Sequence, residues 1–162
     1  MSARTSLREK EARLILAEFN SRFQPTEEVF RSKPRVETID VRDGELIFVN
    51  GQPLILRKKG RLIPFLKFDE ATQRLPKVVV DMGAVPHVCN GADVMVKGIR
   101  KIEGTFGKGD VVLVVDEKYG KHLAVGEALE SSDSIHAMDK GKAISNLHFV
   151  SDDAWETMKE SG

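Results

Sequence analysis

Short apolar runs broken by glycine turns constrain this chain more than any other feature. ELIFV, PLILR and RLIPFL are separated by Asn50-Gly51 and Lys59-Gly60, and Asp43-Gly44 precedes the first of them. Further on, KVVV, DVMV, VVLVV and HLAVGEAL repeat the pattern, with GTFGKGD and Lys118-Tyr119-Gly120 among the turns. Runs of this length, rich in β-branched residues, read as strands, and two-residue turns ending in glycine join antiparallel neighbours. The period-two alternation that begins at Val36 and continues through the first set predicts a β-meander of about four strands. The later set predicts a small closed or nearly closed barrel.

Ahead of the meander, Leu7, Ala12, Ile15, Leu16, Phe19 and Phe23 recur at helical intervals. Ser6-Leu7-Arg8-Glu9 has the Ser-x-x-Glu spacing of a capping box. One amphipathic helix is therefore expected, ending before Pro25 and packed on the apolar face of the meander. A shorter helix is expected next, capped by Thr26, with Glu27 and Glu28 in its first turn and Val29 and Phe30 facing the core. The polar stretch DEATQRLPK, which contains Pro76, marks a boundary, so residues 1–76 read as an α+β domain. Beyond it, Asp81 is placed to cap a short helix that Asn90-Gly91 ends. SSDSIHAMDKG reads as a helical connection capped by Ser131 or Ser132, and Ala143 to Val150 as a last strand.

Glycines 83, 91 and 98 fall seven or eight residues apart, which fits neither a dinucleotide fingerprint nor a phosphate-binding P-loop. Cys89 is the one cysteine, which excludes a disulfide framework or a thiolate zinc cluster within this chain. Its neighbours Val88 and Asn90 offer no base, so it reads as a structural thiol. Histidines 87, 122, 136 and 148 have no metal-ligand spacing, and neither a metal nor a cofactor is expected. Asp81, Asp93 and Asp110 each adjoin a glycine or begin a strand, which suits turn and cap roles, and no catalytic grouping emerges. A non-enzymatic protein is expected. No apolar run approaches the ~20 residues of a membrane span and the N-terminus is charged, so a soluble, cytoplasmic protein is expected.

Net charge is zero, but residues 1–76 carry 15 Lys/Arg against 11 Asp/Glu and residues 77–162 carry 10 against 14. Any basic surface must be a local patch. Aromatic residues make up 6% of the chain, too few for a broad base-stacking sheet. Phe106 and Tyr119 fall in turns where exposure is expected, whereas Trp155 is expected to anchor the C-terminus against the barrel.

VVVDMGAVPHVCNGADVMVKGI, GDVVLVV, HLAVGEAL and GKAISNLHFVSDDAW, in that order, resemble the PUA domain, named from pseudouridine synthases and archaeosine transglycosylases. The resemblance covers roughly residues 77–156, leaving 157–162 as a C-terminal tail. With the α+β unit in front, the chain resembles the malignant-T-cell-amplified-sequence family of translation factors in compact archaeal form. FVNGQPLILRKKG carries the N-terminal similarity. Lys97-Gly98 stands where that family commonly has Pro-Gly, which adds a charge at the strand exit.

This resemblance implies an α+β fold with an N-terminal helix and antiparallel meander followed by a C-terminal PUA pseudobarrel. It also implies RNA binding in translation, with structured tRNA or small-subunit rRNA, the small ribosomal subunit or a translation-factor protein as partners. The surface it implies comprises Gly83, Ala84, His87, Asn90, Gly91, Ala92, Met95, Lys97, Gly98, Arg100 and Lys101. Small residues there admit a sugar–phosphate backbone to peptide N–H groups, although glycines that permit tight helix–strand packing read equally well. Lys97, Arg100 and Lys101 are expected on phosphates, with Lys108 a more remote candidate. The basic cluster Arg57, Lys58, Lys59 and Arg61 reads either as a charged, solubilising hairpin tip or as a second RNA contact. His148 joins that second set. An accessory subunit delivering RNA to a modification enzyme and a protein-interaction module are the alternative roles.

Overall fold

The computed structural model describes residues 3–24 and 33–161. The helix expected from Thr26 to Phe30 lies outside the described residues. Contacts divide the chain into two compact units, one running up to Arg74 and resuming at Asp153, the other spanning Leu75–Asp152.

In the first unit, strands β1 (Thr5–Ser6), β2 (Val36–Val41), β3 (Gly44–Val49), β4 (Gln52–Lys58) and β5 (Arg61–Pro64) form an antiparallel sheet in sequence order. The turns are those the sequence announces: Asn50 and Gly51 have φ of 51° and 85°, the left-handed geometry that tight hairpins require. Helix α1 (Glu9–Phe23) buries Ala12, Leu16, Phe19 and Phe23 on one face. Phe19 is fully buried, with ring centroids 4.9 Å from Phe23 and 5.8 Å from Phe68. A phenylalanine taken wholly out of water contributes about 2–3 kcal/mol.

The expected capping box does not form. Arg8, not Ser6, is the N-cap, and no side chain caps the helix. Thr5 and Ser6 pair instead with Thr38 and Glu37, and the Leu7 N–H donates to Val36 O at 2.9 Å. Ladder hydrogen bonds on the sheet edge thus claim the residues that a cap would use. Helix α2 (Asp69–Thr72) follows β5 within the polar stretch read as a boundary, and it buries Ala71 and Thr72.

The C-terminal segment also departs from expectation. Asp153–Ser161, the last helix of the chain (α5), belongs to the first unit rather than being the end of a barrel followed by a tail. Trp155 packs against Phe65 with centroids 6.0 Å apart, and Asp153 Oδ2 accepts the Arg42 N–H at 2.7 Å. An aromatic surface and an open backbone donor on the first sheet draw the helix there.

The second unit contains β6 (Lys77–Val80), α3 (Val85–Val88), β7 (Val94–Met95), β8 (Ile99–Glu103), β9 (Val111–Asp116), β10 (His122–Ala128), α4 (Ser132–Ala137) and β11 (Lys142–Phe149). Its sheet order is β7-β11-β10-β9-β6-β8, with β6 and β9 parallel and the other pairs antiparallel. The outermost strands, β7 and β8, are separated in sequence by only the 3-10 turn Val96–Gly98. Three residues span at most about 10 Å, so the two ends of the sheet must come together and the sheet must curl. The result is a half-barrel around Val78, Val80, Val112, Val114, Ala124 and Ile144. Phe106 belongs to this core, correcting the expectation that its turn exposes it.

One turn of this unit is built around a buried carboxylate. Asp116, at the end of β9, accepts the N–H groups of Lys118, Tyr119 and Lys121. Burial pushes its carboxyl up, but the backbone hydrogen bonds from Tyr119, Lys121, Lys118 and Gly120 outweigh that and hold it below its ordinary value of 3.8. A carboxyl lowered in the folded state contributes stability that is complete above its unfolded value and lost as pH falls through the folded one. Asp116→Asn is expected to lower the melting temperature by about 5 °C at neutral pH. Thermal melts across a pH series should show that deficit shrinking below about pH 4, as wild type loses the same stabilisation.

Candidate nucleic-acid interface

The join between β7 and β8 is where the implied surface falls. Asp81 leaves β6 and its Oδ1 accepts the Ala84 N–H at 2.8 Å, closing the turn before α3. Ala84 is the N-cap and no side chain caps the helix, so the expected Asp81 cap does not form. Pro86 lies in the first turn of α3, where its missing N–H costs nothing. The helix is a single turn, and Gly91 (φ 93°) reverses the chain after it. Asn146 of β11 holds that reversal: Nδ2 donates to Val88 O at 3.1 Å and to Ala92 O at 3.0 Å, and its own N–H donates to Asp93 Oδ1 at 2.9 Å. Half-buried Cys89 has its thiol pushed up by burial, which keeps it protonated and unreactive.

Ala84, His87, Ala92, Met95 and Gly98 come together around an open groove of about 420 Å³, with Asp93 and Lys142 also on its wall. His87 and Ala92 are exposed, and Met95 is 46% exposed although it is a large apolar side chain. Lys142 lies opposite Met95 in the β7–β11 register and its Nζ is 3.4 Å from Asp93 Oδ2. Sequence reasoning passed over Lys142 and Asn146. Both are some fifty residues from α3, and only strand register brings them to it.

Lys97 and Lys101 are exposed and make no ion pair among the described residues. Arg100 is exposed as well, but its Nε is 3.7 Å from Glu117 Oε1, an open pair that contributes at most about 1 kcal/mol. All three cations lie on or beside β8, which among the described residues pairs with a strand on one side only. Lys108 is exposed in the turn from Gly107 to Asp110. Asn90 and Gly83 are exposed next to α3, completing the set.

Packing accounts for two of the glycines. A Cβ at Gly98 would lie 3.3 Å from Ala84 Cβ, and one at Gly91 would lie 3.1 Å from the Phe149 ring. At Gly83 the nearest atom would be Asp81 Oδ1 at 3.4 Å, ordinary contact, and the site faces solvent.

The second set of candidates is largely committed elsewhere. Lys58 is 9% exposed and its Nζ donates to Arg42 O at 2.9 Å. Arg57 Nε is 3.3 Å from Glu45 Oε1, and Arg61 is half-buried. Lys59 is exposed in the hairpin turn. The Glu45 carboxylate and the Arg42 carbonyl thus engage Arg57 and Lys58 within the first unit. His148 is fully buried, with Nδ1 2.8 Å from Asp152 Oδ2, so it cannot stack on a base. That carboxylate also accepts the Phe149 N–H at 3.0 Å and closes the end of β11.

The curled mixed sheet of the second unit, with a one-turn helix after its first strand, has the fold of a PUA domain, an RNA-binding module. Residues 76–150 match that family. The chain belongs to the PUA-domain proteins related to translation machinery-associated protein 20 and the malignant-T-cell-amplified sequences. It is 39% identical over 152 residues to the uncharacterized protein MJ1432 of Methanocaldococcus jannaschii, covering 92% of this chain and 93% of that one. Translation machinery-associated protein 20 of Saccharomyces cerevisiae is 30% identical over 137 residues, covering 80% of this chain and 76% of its own. The crystal structure of hypothetical protein PH0734.1 from Pyrococcus horikoshii superposes with a TM-score of 0.77 at 35% identity, covering 96% of this chain and 99% of the other. No helix among the described residues is long and apolar enough to cross a membrane.

Proposed function

We propose that the protein is a non-enzymatic RNA-binding protein of translation that engages tRNA or small-subunit rRNA through the β7–β8 edge of its second unit. The observation that carries this reading is the juxtaposition of exposed Lys97, Arg100 and Lys101 with the groove lined by Ala84, His87, Met95 and Gly98. An open groove lined in part by small side chains, beside a few cations, suits recognition by shape: cations hold phosphates, and peptide groups meet phosphate or 2′-hydroxyl oxygens. The translation role rests on the likeness to translation machinery-associated protein 20 across both units.

Anisotropy titrations of the full chain with tRNA, a small-subunit rRNA hairpin and an unstructured strand of equal length test the reading. Structured RNA is expected to bind more tightly by about tenfold or more, with affinity falling steeply as salt rises. Equal binding of the unstructured strand, or binding indifferent to salt, would overturn it.

A further inference from the structure

Tyr119 is 65% exposed, the most exposed large apolar side chain among the described residues. Two cations lie over its ring, with Lys118 Nζ 5.2 Å and Lys121 Nζ 5.8 Å from the centroid. The ring is carried on the Asp116 turn, whose carboxylate fixes the backbone N–H of Tyr119 and of both lysines. This turn also adjoins the proposed RNA edge. Glu117, two residues before Tyr119, accepts the Met82 N–H at 2.9 Å, reaches Arg100 at 3.7 Å, and donates its own N–H to Val80 O at 2.9 Å. Two residues of chain span at most about 7 Å, so Tyr119 lies on the same rim as the Asp81–Gly83 turn and Arg100.

We propose that Tyr119, with Lys118 and Lys121, is a stacking platform for an unpaired nucleobase next to the bound RNA helix. The inference rests on the RNA reading above and extends it to the single-stranded part of the ligand. A base offers a π-face to the phenol ring whatever its identity, and the lysine ammonium groups over the ring can swing aside to meet the flanking phosphates. Because Asp116 already holds the backbone of this turn, presenting the ring costs less ordering on binding than a free loop would. Charge complementarity selects this occupant: an exposed aromatic in contact with two cations suits a polyanion with exposed bases better than an apolar protein surface.

The test uses the full chain and two RNA hairpins with the same stem, one blunt and one with a short 3′ overhang containing 2-aminopurine. Wild type is expected to bind the overhang hairpin about 5- to 100-fold more tightly than the blunt one, and to quench the 2-aminopurine as it stacks. Tyr119→Ala should erase both the preference and the quenching while leaving blunt-hairpin affinity and melting temperature unchanged. Tyr119→Trp should keep the preference. If wild type binds both hairpins equally, or Tyr119→Ala still discriminates, the platform is overturned and the RNA reading stands. Failure of wild type to bind either hairpin overturns the RNA reading, and the platform with it.

Discussion

Replacing Lys97, Arg100 and Lys101 together by glutamate is expected to weaken binding to structured RNA by about two orders of magnitude near physiological salt. The basis is counterion release, in which each phosphate neutralised by a cation adds close to one unit to the slope of log affinity against log salt. Losing three such contacts should flatten that slope by about 2–3. Arg100 complicates the size of the effect. Glu117 already faces it at 3.7 Å, so Arg100→Glu removes a cation and also sets two carboxylates side by side. A parallel triple with glutamine at the three positions separates repulsion from simple loss: both should flatten the slope, and the glutamate version should bind more weakly. The residues are exposed, so melting temperatures should stay close to wild type. Titrations of either triple that overlay wild type across the salt series would mean that RNA does not bind at the β8 edge.

Local chemistry explains what the sequence could reveal. Helix α1 and the meander follow from period and turn residues, because apolar spacing and Asn50-Gly51 act within a few positions of the chain. Strand β1 was hidden because Ser6 fits two local patterns, and only pairing with Glu37 across thirty-one residues decides between them. The same limit hid α5, whose bond from Asp153 to the Arg42 N–H spans 111 residues. In the candidate site, the stretch from Gly83 to Lys101 can be proposed from the sequence because it is contiguous. Asn146 and Lys142 were not, since strand register is a property of the folded sheet. Lys58 and His148 misled for a related reason: a charged or polar residue reads as exposed until a specific partner, here Arg42 O or Asp152, makes burial tolerable.

Two reasons for small residues along the edge, packing and RNA approach, make different predictions at different glycines. Gly91 has φ 93°, and a Cβ there would meet the Phe149 ring at 3.1 Å. Gly91→Val is therefore expected to destabilise the protein by about 3 kcal/mol or more, through left-handed strain on a β-branched residue plus displacement of Phe149. That corresponds to a drop in melting temperature of roughly 6–12 °C, whatever the protein binds. Gly83 is the opposite case, exposed and with no atom closer to a Cβ than Asp81 Oδ1 at 3.4 Å. Gly83→Val should melt within about 2 °C of wild type. If a ribose–phosphate backbone lies against this turn, however, the added isopropyl group blocks it, and affinity for structured RNA should fall by about tenfold or more. Melting and RNA titration on the same two variants decide the matter. Wild-type affinity in Gly83→Val would leave packing as the sole cause of the small side chains, since the glycine of this edge that the fold itself leaves room to enlarge would then have room in the complex as well.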